Sequence, residues 1–221
     1  RTLSRYVDGI VVRTFSHRQV EEFARYASVP VINGLSDLPH PCQAMADLFT
    51  VQERFGHLKG LTISYIGDGN NVLHSLVQGA SRLGANVHVA TPNGYRPHRT
   101  IWAEATRQAK RHAAQLVWHA NPTEVVRDTD VIYTDVWTSM GQEQEHAIRR
   151  KAFRQFQVNE RLLSLAKRHC IVMHCLPAHR GEEITEQVLE GPRSMVFDQA
   201  ENRLHVQKAL LLMLYAGKTQ P

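Results

Sequence analysis

Three cysteines in 221 residues, Cys42, Cys170 and Cys175, are too few and too unevenly spaced for a disulfide framework, and no pair has the C-x-x-C spacing of structural zinc. Long apolar runs are also missing. Runs such as those at residues 10–12 and 209–214 fall far short of the roughly 18–20 residues that span a bilayer. A basic-then-apolar leader is not visible, so no secretion signal is expected. No five Lys or Arg residues stand in a row, and Asp and Glu are interspersed throughout. The balance of 26 basic against 21 acidic residues, +5, therefore argues against a nucleic-acid partner and for a small anionic substrate held by a few arginines. No H-x-x-x-H pair shares a helix face among the 13 histidines, which argues against a metal centre.

What is present is the balance of a globular protein: 43% hydrophobic and 21% charged residues in 25.1 kDa, enough for one large α/β unit or two small ones. Short β-branched runs alternate with stretches of helical period, the pattern of a doubly wound, mostly parallel sheet covered by helices on both faces. Strands are expected at 9–14, 29–32, 61–66, 86–90, 115–119, 130–134, 170–174 and 194–196. Helices are expected at 18–27, 41–54, 72–83, 99–113, 122–126, 158–166, 185–189 and 201–216. The turn-rich segment Leu35-Ser36-Asp37-Leu38-Pro39-His40-Pro41 reads as a junction. It divides the chain into the remnant of one domain (1–40), a more complete second domain (41–200) and a last helix (201–221) that returns toward the first part. The chain opens on Arg1 in mid-pattern, and a processed or truncated polypeptide is expected.

Four segments carry chemistry. Gly67-Asp68-Gly69-Asn70-Asn71 follows an apolar strand and opens a helix, exposing backbone N–H groups that suit an anion or carboxylate. A third glycine is absent and the next strand ends in Ala90-Thr91-Pro92, so this is no dinucleotide fingerprint. His40 and Gln43 lie three apart at a helix start, on one face. An imidazole N–H there can donate to a carbonyl while the carboxamide pairs with an –NH2, the complement of a carbamoyl group; a helix-capping His40 and a solvated Gln43 are the alternative.

Asp135-Val136-Trp137-Thr138-Ser139-Met140-Gly141 ends a strand, where open α/β sheets place ligands; Asp135 and Ser139 can converge on an ammonium. His174-Cys175-Leu176-Pro177 ends another. Cys175 could serve as nucleophile, polar contact or filler, with His174 expected on the opposite face and the Leu176 carbonyl presented by an extended turn. Arg13 and Arg203 suit phosphate or carbonyl oxygens, although composition alone does not single them out.

Together with Val12-Arg13-Thr14-Phe15, Pro30-Val31-Ile32-Asn33-Gly34-Leu35 and Glu201-Asn202-Arg203, these segments closely resemble the ornithine carbamoyltransferases, in the family's order and over nearly the whole chain. The resemblance implies transfer of the carbamoyl group of carbamoyl phosphate to the δ-amine of L-ornithine, giving citrulline and phosphate with no metal or organic cofactor. It implies that Arg13, His40, Gln43, Cys175, Leu176 and Arg203 contact carbamoyl phosphate. Asn71, Asp135, Ser139 and Met140 would hold ornithine, with Asp135 and Cys175 helping to present a neutral δ-amine.

A homotrimer in arginine metabolism is implied too, in a cytoplasm or, in a eukaryote, a mitochondrial matrix, with no nucleic acid or membrane as partner. The family's phosphate-gripping Ser-x-Arg-Thr-Arg loop is not found: Arg1-Thr2-Leu3-Ser4-Arg5 does not match it. Residues 1–221 alone are therefore expected to bind ornithine weakly and turn over negligibly. Putrescine or aspartate as acceptor, and a non-catalytic amino-acid-binding domain, are the alternatives.

Overall fold

The computed structural model describes residues 1–139 and 141–216. Two parallel sheets share the chain. The first pairs β1 (Ile10–Arg13) with β2 (Val31–Leu35), joined through helix α1 (His17–Tyr26). The second has five parallel strands: β3 (Thr62–Ile66), β4 (Asn86–Ala90), β5 (Leu116–His119), β6 (Val131–Thr134) and β7 (Ile171–His174), in the order β5-β4-β3-β6-β7. The chain winds outward from β3 to β5, then returns to β3's other side for β6 and β7. The crevice beyond the carboxyl ends of β3 and β6 is the switch point at which such sheets bind ligands.

Both faces of the larger sheet are covered, as its near-continuous apolar strands require. Val131 and Tyr133 of β6 face a core shared with α2 (Pro41–Phe55), α3 (Asn71–Arg82) and α4 (Arg99–Arg111). Ile132 faces the opposite core, built with α5 (Pro122–Val126), α6 (His146–Phe153), α7 (Glu160–Leu163) and α8 (Glu186–Leu189). Period-two alternation along a strand thus serves two cores.

The last helix, α9 (Val196–Tyr215), packs along α2, where Asn202 Nδ2 donates to Thr50 Oγ1 at 3.1 Å and Glu53 Oε2 at 2.6 Å. Its far end returns to the first sheet, with Tyr215 filling the space that a side chain at Gly9 would take.

Several expected elements are corrected. The strand at 194–196 does not form: Ser194 makes one isolated bridge to Val172, and Val196 already opens α9, five residues before the expected start. β2 runs Val31–Leu35 rather than 29–32, which carries Ser36 to the rim of the crevice. Of the helix expected at 158–166, only Glu160–Leu163 is α-helical, because Val158 bridges Ile184 and Asn159 caps the helix. Helix α6 was not anticipated. Only Arg149 and Phe153 of its residues are buried, too sparse an apolar face to read as a period.

Candidate active site

A cleft of about 1000 Å³ lies between the two sheets. Its walls include Arg13, His40, Gln43, Asn71, Asp135, Ser139, Cys175, Leu176 and Arg203. Nine of the ten site residues expected from sequence therefore open onto one space, and the tenth, Met140, lies outside the described residues.

On the α2 side, Pro41 occupies the first helical turn and His40 precedes it as the cap residue. The imidazole makes no capping hydrogen bond. Its backbone N–H goes instead to Ser75 Oγ at 2.8 Å, and its buried Nδ1 has no hydrogen-bond partner. Burial, reinforced by the nearby positive charges of Arg203 and Arg13, lowers its pKa to about 4. His40 is thus a neutral imidazole at pH 7, able to donate one N–H. Gln43, one turn on, accepts from Arg203 Nη1 at 3.0 Å through Oε1. Its Nε2 donates to Asp47 at 2.8 Å, a carboxyl that burial pushes up to about 7 against the pull of its three donors, Gln43, Gln199 and Tyr133.

On the opposite side, Asp135 stands at the carboxyl end of β6. Its Oδ1 accepts from the Cys175 thiol at 2.9 Å and from Val136 N at 2.8 Å. Its Oδ2 accepts from Asn70 Nδ2 at 2.6 Å. Asn70 also caps α3, taking the backbone N–H groups of Val72 and Leu73 on Oδ1. Asn70 belongs to the segment Gly67-Asp68-Gly69-Asn70-Asn71, but nothing in the sequence marks it as the partner of a carboxylate 65 positions away. Burial and the Asp135 charge push the Cys175 thiol well above its ordinary value, so it is a neutral donor and not a thiolate nucleophile.

His174 and Cys175 engage different partners. His174 Nε2 reaches Glu183 Oε1 at 3.1 Å, and its Nδ1 accepts from Leu176 N at 2.9 Å, so the ring carries its proton on Nε2. No Cys–His dyad results, although atoms of Asp135, His174 and Cys175 lie within 4.8 Å of one another. The turn after them is not the extended one expected. Leu176 has φ +55, with its N–H tied back to His174 and its side chain on the apolar core beneath. A second metal-type grouping, His179, Glu182 and Glu183, has its Glu183 Oε1 occupied by His174 and by His179 N.

Two further residues complete the wall. Asp68, in the loop after β3, pairs with the buried Arg149 of α6. Arg149 Nε also donates to the Trp137 carbonyl at 2.5 Å, so one guanidinium ties the loop after β3 to the loop after β6. Its plane lies 4.9 Å from the centre of the Tyr95 ring. Burial pushes Asp68 up to about 6 even with Arg149 opposing it. Gly69 has no room for a side chain: a Cβ would sit 2.4 Å from the Arg96 carbonyl carbon.

A doubly wound domain facing a smaller α/β lobe, with a carboxylate and thiol across a cleft from a neutral imidazole, two arginines and a carboxamide, is the arrangement of a two-substrate group-transfer enzyme. Comparison with known proteins narrows this. Residues 59–214 match the "Aspartate/ornithine carbamoyltransferase, Asp/Orn binding domain" family, and residues 1–53 match the carbamoyl-P binding domain of the same proteins. The chain belongs to the aspartate/ornithine carbamoyltransferase family. It is 57% identical to an ornithine carbamoyltransferase of Thermococcus kodakarensis over 98% of its own length and 69% of that protein. The Pyrococcus furiosus ornithine carbamoyltransferase structure superposes with a TM-score of 0.95 at 54% identity, covering 100% of this chain and 70% of that one. The anabolic enzyme of Campylobacter jejuni does so at 0.93 and 38% identity, covering 99% and 72%.

Proposed function

We infer that the cleft is an ornithine carbamoyltransferase centre, which moves the carbamoyl group of carbamoyl phosphate to the δ-amine of L-ornithine, yielding L-citrulline and phosphate. The observation that carries this reading is that the neutral ring of His40, its Nδ1 free of any hydrogen bond, and the Asp135 carboxylate, held by Cys175, Val136 and Asn70, open onto the same cleft.

Each half has a chemical task. Arg13 and Arg203 bind the phosphate, and neutral His40 donates to the carbamoyl oxygen, whose negative charge grows as the tetrahedral centre forms. Gln43 and the Leu176 carbonyl read the carbamoyl –NH2. Asn71, Ser139 and Met140 hold the amino-acid head group. The ornithine δ-amine, ordinarily near pKa 10, is mostly protonated at pH 7 and must lose that proton before it attacks. Asp135 draws the ammonium into the cleft and accepts its proton, while the Cys175 S–H holds the carboxylate in place. Positioning both substrates in line supplies much of the remaining acceleration.

The domain organisation belongs to the same proposal: residues 1–40 contribute to the carbamoyl-phosphate lobe, 41–200 to the ornithine lobe, and the last helix returns to bring Arg203 between them. So do a homotrimeric assembly, a place in arginine biosynthesis and a cytoplasmic or matrix location, which rest on the family alone. Among the described residues no helix is long and apolar enough to cross a membrane.

The test is calorimetric. A phosphonacetyl group joined to the δ-nitrogen of ornithine reaches both half-sites and should bind far more tightly than ornithine; equal affinity overturns the reading. When carbamoyl phosphate is offered with ornithine, putrescine and aspartate together, any product formed is citrulline. Carbamoylputrescine or carbamoylaspartate as the main product moves the chain to a different acceptor.

A further inference from the structure

Beneath the carbamoyl half of the cleft lies a carboxyl group without an assigned task. Asp47 of α2 is 1% exposed and accepts hydrogen bonds from side chains of α2 itself, α9 and β6. Its Oδ1 accepts from Gln43 Nε2 at 2.8 Å and from Gln199 Nε2 of α9 at 2.6 Å. Its Oδ2 accepts from the Tyr133 hydroxyl of β6 at 3.0 Å. Gln199 turns its own Oε1 to the backbone N–H of His174, at 2.9 Å, immediately before Cys175.

The donor and acceptor count fixes how Gln43 must face. A carboxylate oxygen only accepts, so Gln43 must present its –NH2 to Asp47. A guanidinium only donates, so Gln43 must present its oxygen to Arg203, which it does at 3.0 Å. Protonation of Asp47 on Oδ2, toward Tyr133, leaves Oδ1 accepting and changes neither statement. A carboxamide in water turns end for end freely; this one is held from both sides, with its oxygen on the cleft side.

We propose that Asp47 is a positioning residue that sets the polarity of Gln43, so that the cleft offers the carbamoyl –NH2 an acceptor and selects a carbamoyl over an acyl donor. Asp47 does this from below, without touching substrate. The inference rests on the carbamoyl-phosphate reading of this half-site and extends it to donor selectivity.

The test uses two stable donor analogues that differ only where Gln43 reads them. Phosphonoacetamide carries –NH2 on its carbonyl, and acetonylphosphonate carries –CH3. Unmodified protein should prefer the amide by about tenfold or more, the worth of one buried hydrogen bond plus the orphaned acceptor it avoids. Asp47→Leu keeps the branched shape but removes the acceptor, and its preference should fall by about threefold or more, Arg203 alone still calling for the oxygen, with ornithine affinity retained. Asp47→Asn, which keeps one acceptor oxygen for both glutamines, should restore the preference.

An undiminished preference in Asp47→Leu, or one lost equally in Asp47→Asn, overturns the proposal. Should Asp47→Leu not fold, side-chain 15N spectra of the unmodified protein decide. The Gln43 –NH2 must be protected from hydrogen exchange and barely shifted by phosphonoacetamide; a rapidly exchanging –NH2 that shifts with ligand overturns it. If the unmodified protein binds neither phosphonate, the carbamoyl-phosphate reading itself falls. If it binds both equally, only the assignment to Asp47 and Gln43 does.

Discussion

Arg149 and Asp68 form a buried ion pair that clamps together the loops after β3 and β6 in the wall of the cleft. Side chains join the two loops here: the guanidinium reaches Asp68 on one side and the Trp137 carbonyl on the other, beside the hydrogen bond from Asn70 to Asp135. Arg149→Gln leaves a buried carboxylate without its charge partner, a loss of about 3–5 kcal/mol where a buried pair is broken on one side. The expected result is a lowered thermal midpoint together with weakened ornithine binding, while phosphonoacetamide binding changes little. Arg149→Lys should restore it only in part, because a single ammonium nitrogen lacks the planar fork in which Nε reaches the Trp137 carbonyl while Nη2 reaches Asp68. Calorimetry with each ligand and a thermal melt check this, and equal weakening of both ligands contradicts the clamp.

Asp135→Asn removes the negative charge that faces the incoming ammonium and sets a second –NH2 against Asn70. Ornithine affinity should fall by about tenfold or more, in keeping with hydrogen bonds to charged groups worth about 1.5–3 kcal/mol. Phosphonoacetamide affinity should stay within about threefold, since the role proposed for Asp135 is toward the other substrate. Parallel losses for both ligands would place Asp135 in the scaffold instead.

The Cys175 thiol is held up by burial and by Asp135, and burial raises Cys42 as well and takes Cys170 to about 12. Thiolate is the reactive form, so alkylation by iodoacetamide at pH 8 should run slower at all three cysteines than for glutathione. Peptide mass spectrometry over a time course measures this. Rapid modification of Cys175 near neutral pH would reveal a thiolate and return the nucleophile to consideration.

His40 gives a pH dependence with a defined sign. Its pKa is about 4 in the folded chain against an ordinary 6.5. Between those values the unfolded chain binds a proton that folded His40 does not. Stability therefore falls as pH drops from about 6.5 to about 4, by on the order of 3 kcal/mol from this group, and the penalty is constant below that window. Denaturant melts from pH 7 to pH 4 should show a shallower decline in His40→Gln than in the unmodified protein. Identical slopes would mean that folding leaves the His40 pKa unmoved.

Much of the architecture was legible because parallel sheets bury both faces, and strands such as Val131-Ile132-Tyr133-Thr134 leave an apolar run no other element would carry. The site segments were legible because each sits where a strand ends or a helix begins. Less visible were the residues that act through others. Arg149 lies in a charged stretch with too little apolar period to announce a helix, and Asp47 reads in sequence as an ordinary polar position of α2. Leu176 departs from the extended course usual before proline, its N–H bonded to His174 and its side chain packed on the core.

By itself, then, the sequence determined the alternation of strands and helices, the kinds of chemical group available and, through their order, the family. Only tertiary structure decided that His40 and Asp135, 95 positions apart in the chain, face one cleft, and that Arg203 closes over Gln43 from the last helix. The reason is physical. Periodicity and turn chemistry are local and written in neighbouring residues, whereas a buried carboxyl, a neutral imidazole or a clamped carboxamide takes its character from partners that only the folded chain brings within hydrogen-bonding distance.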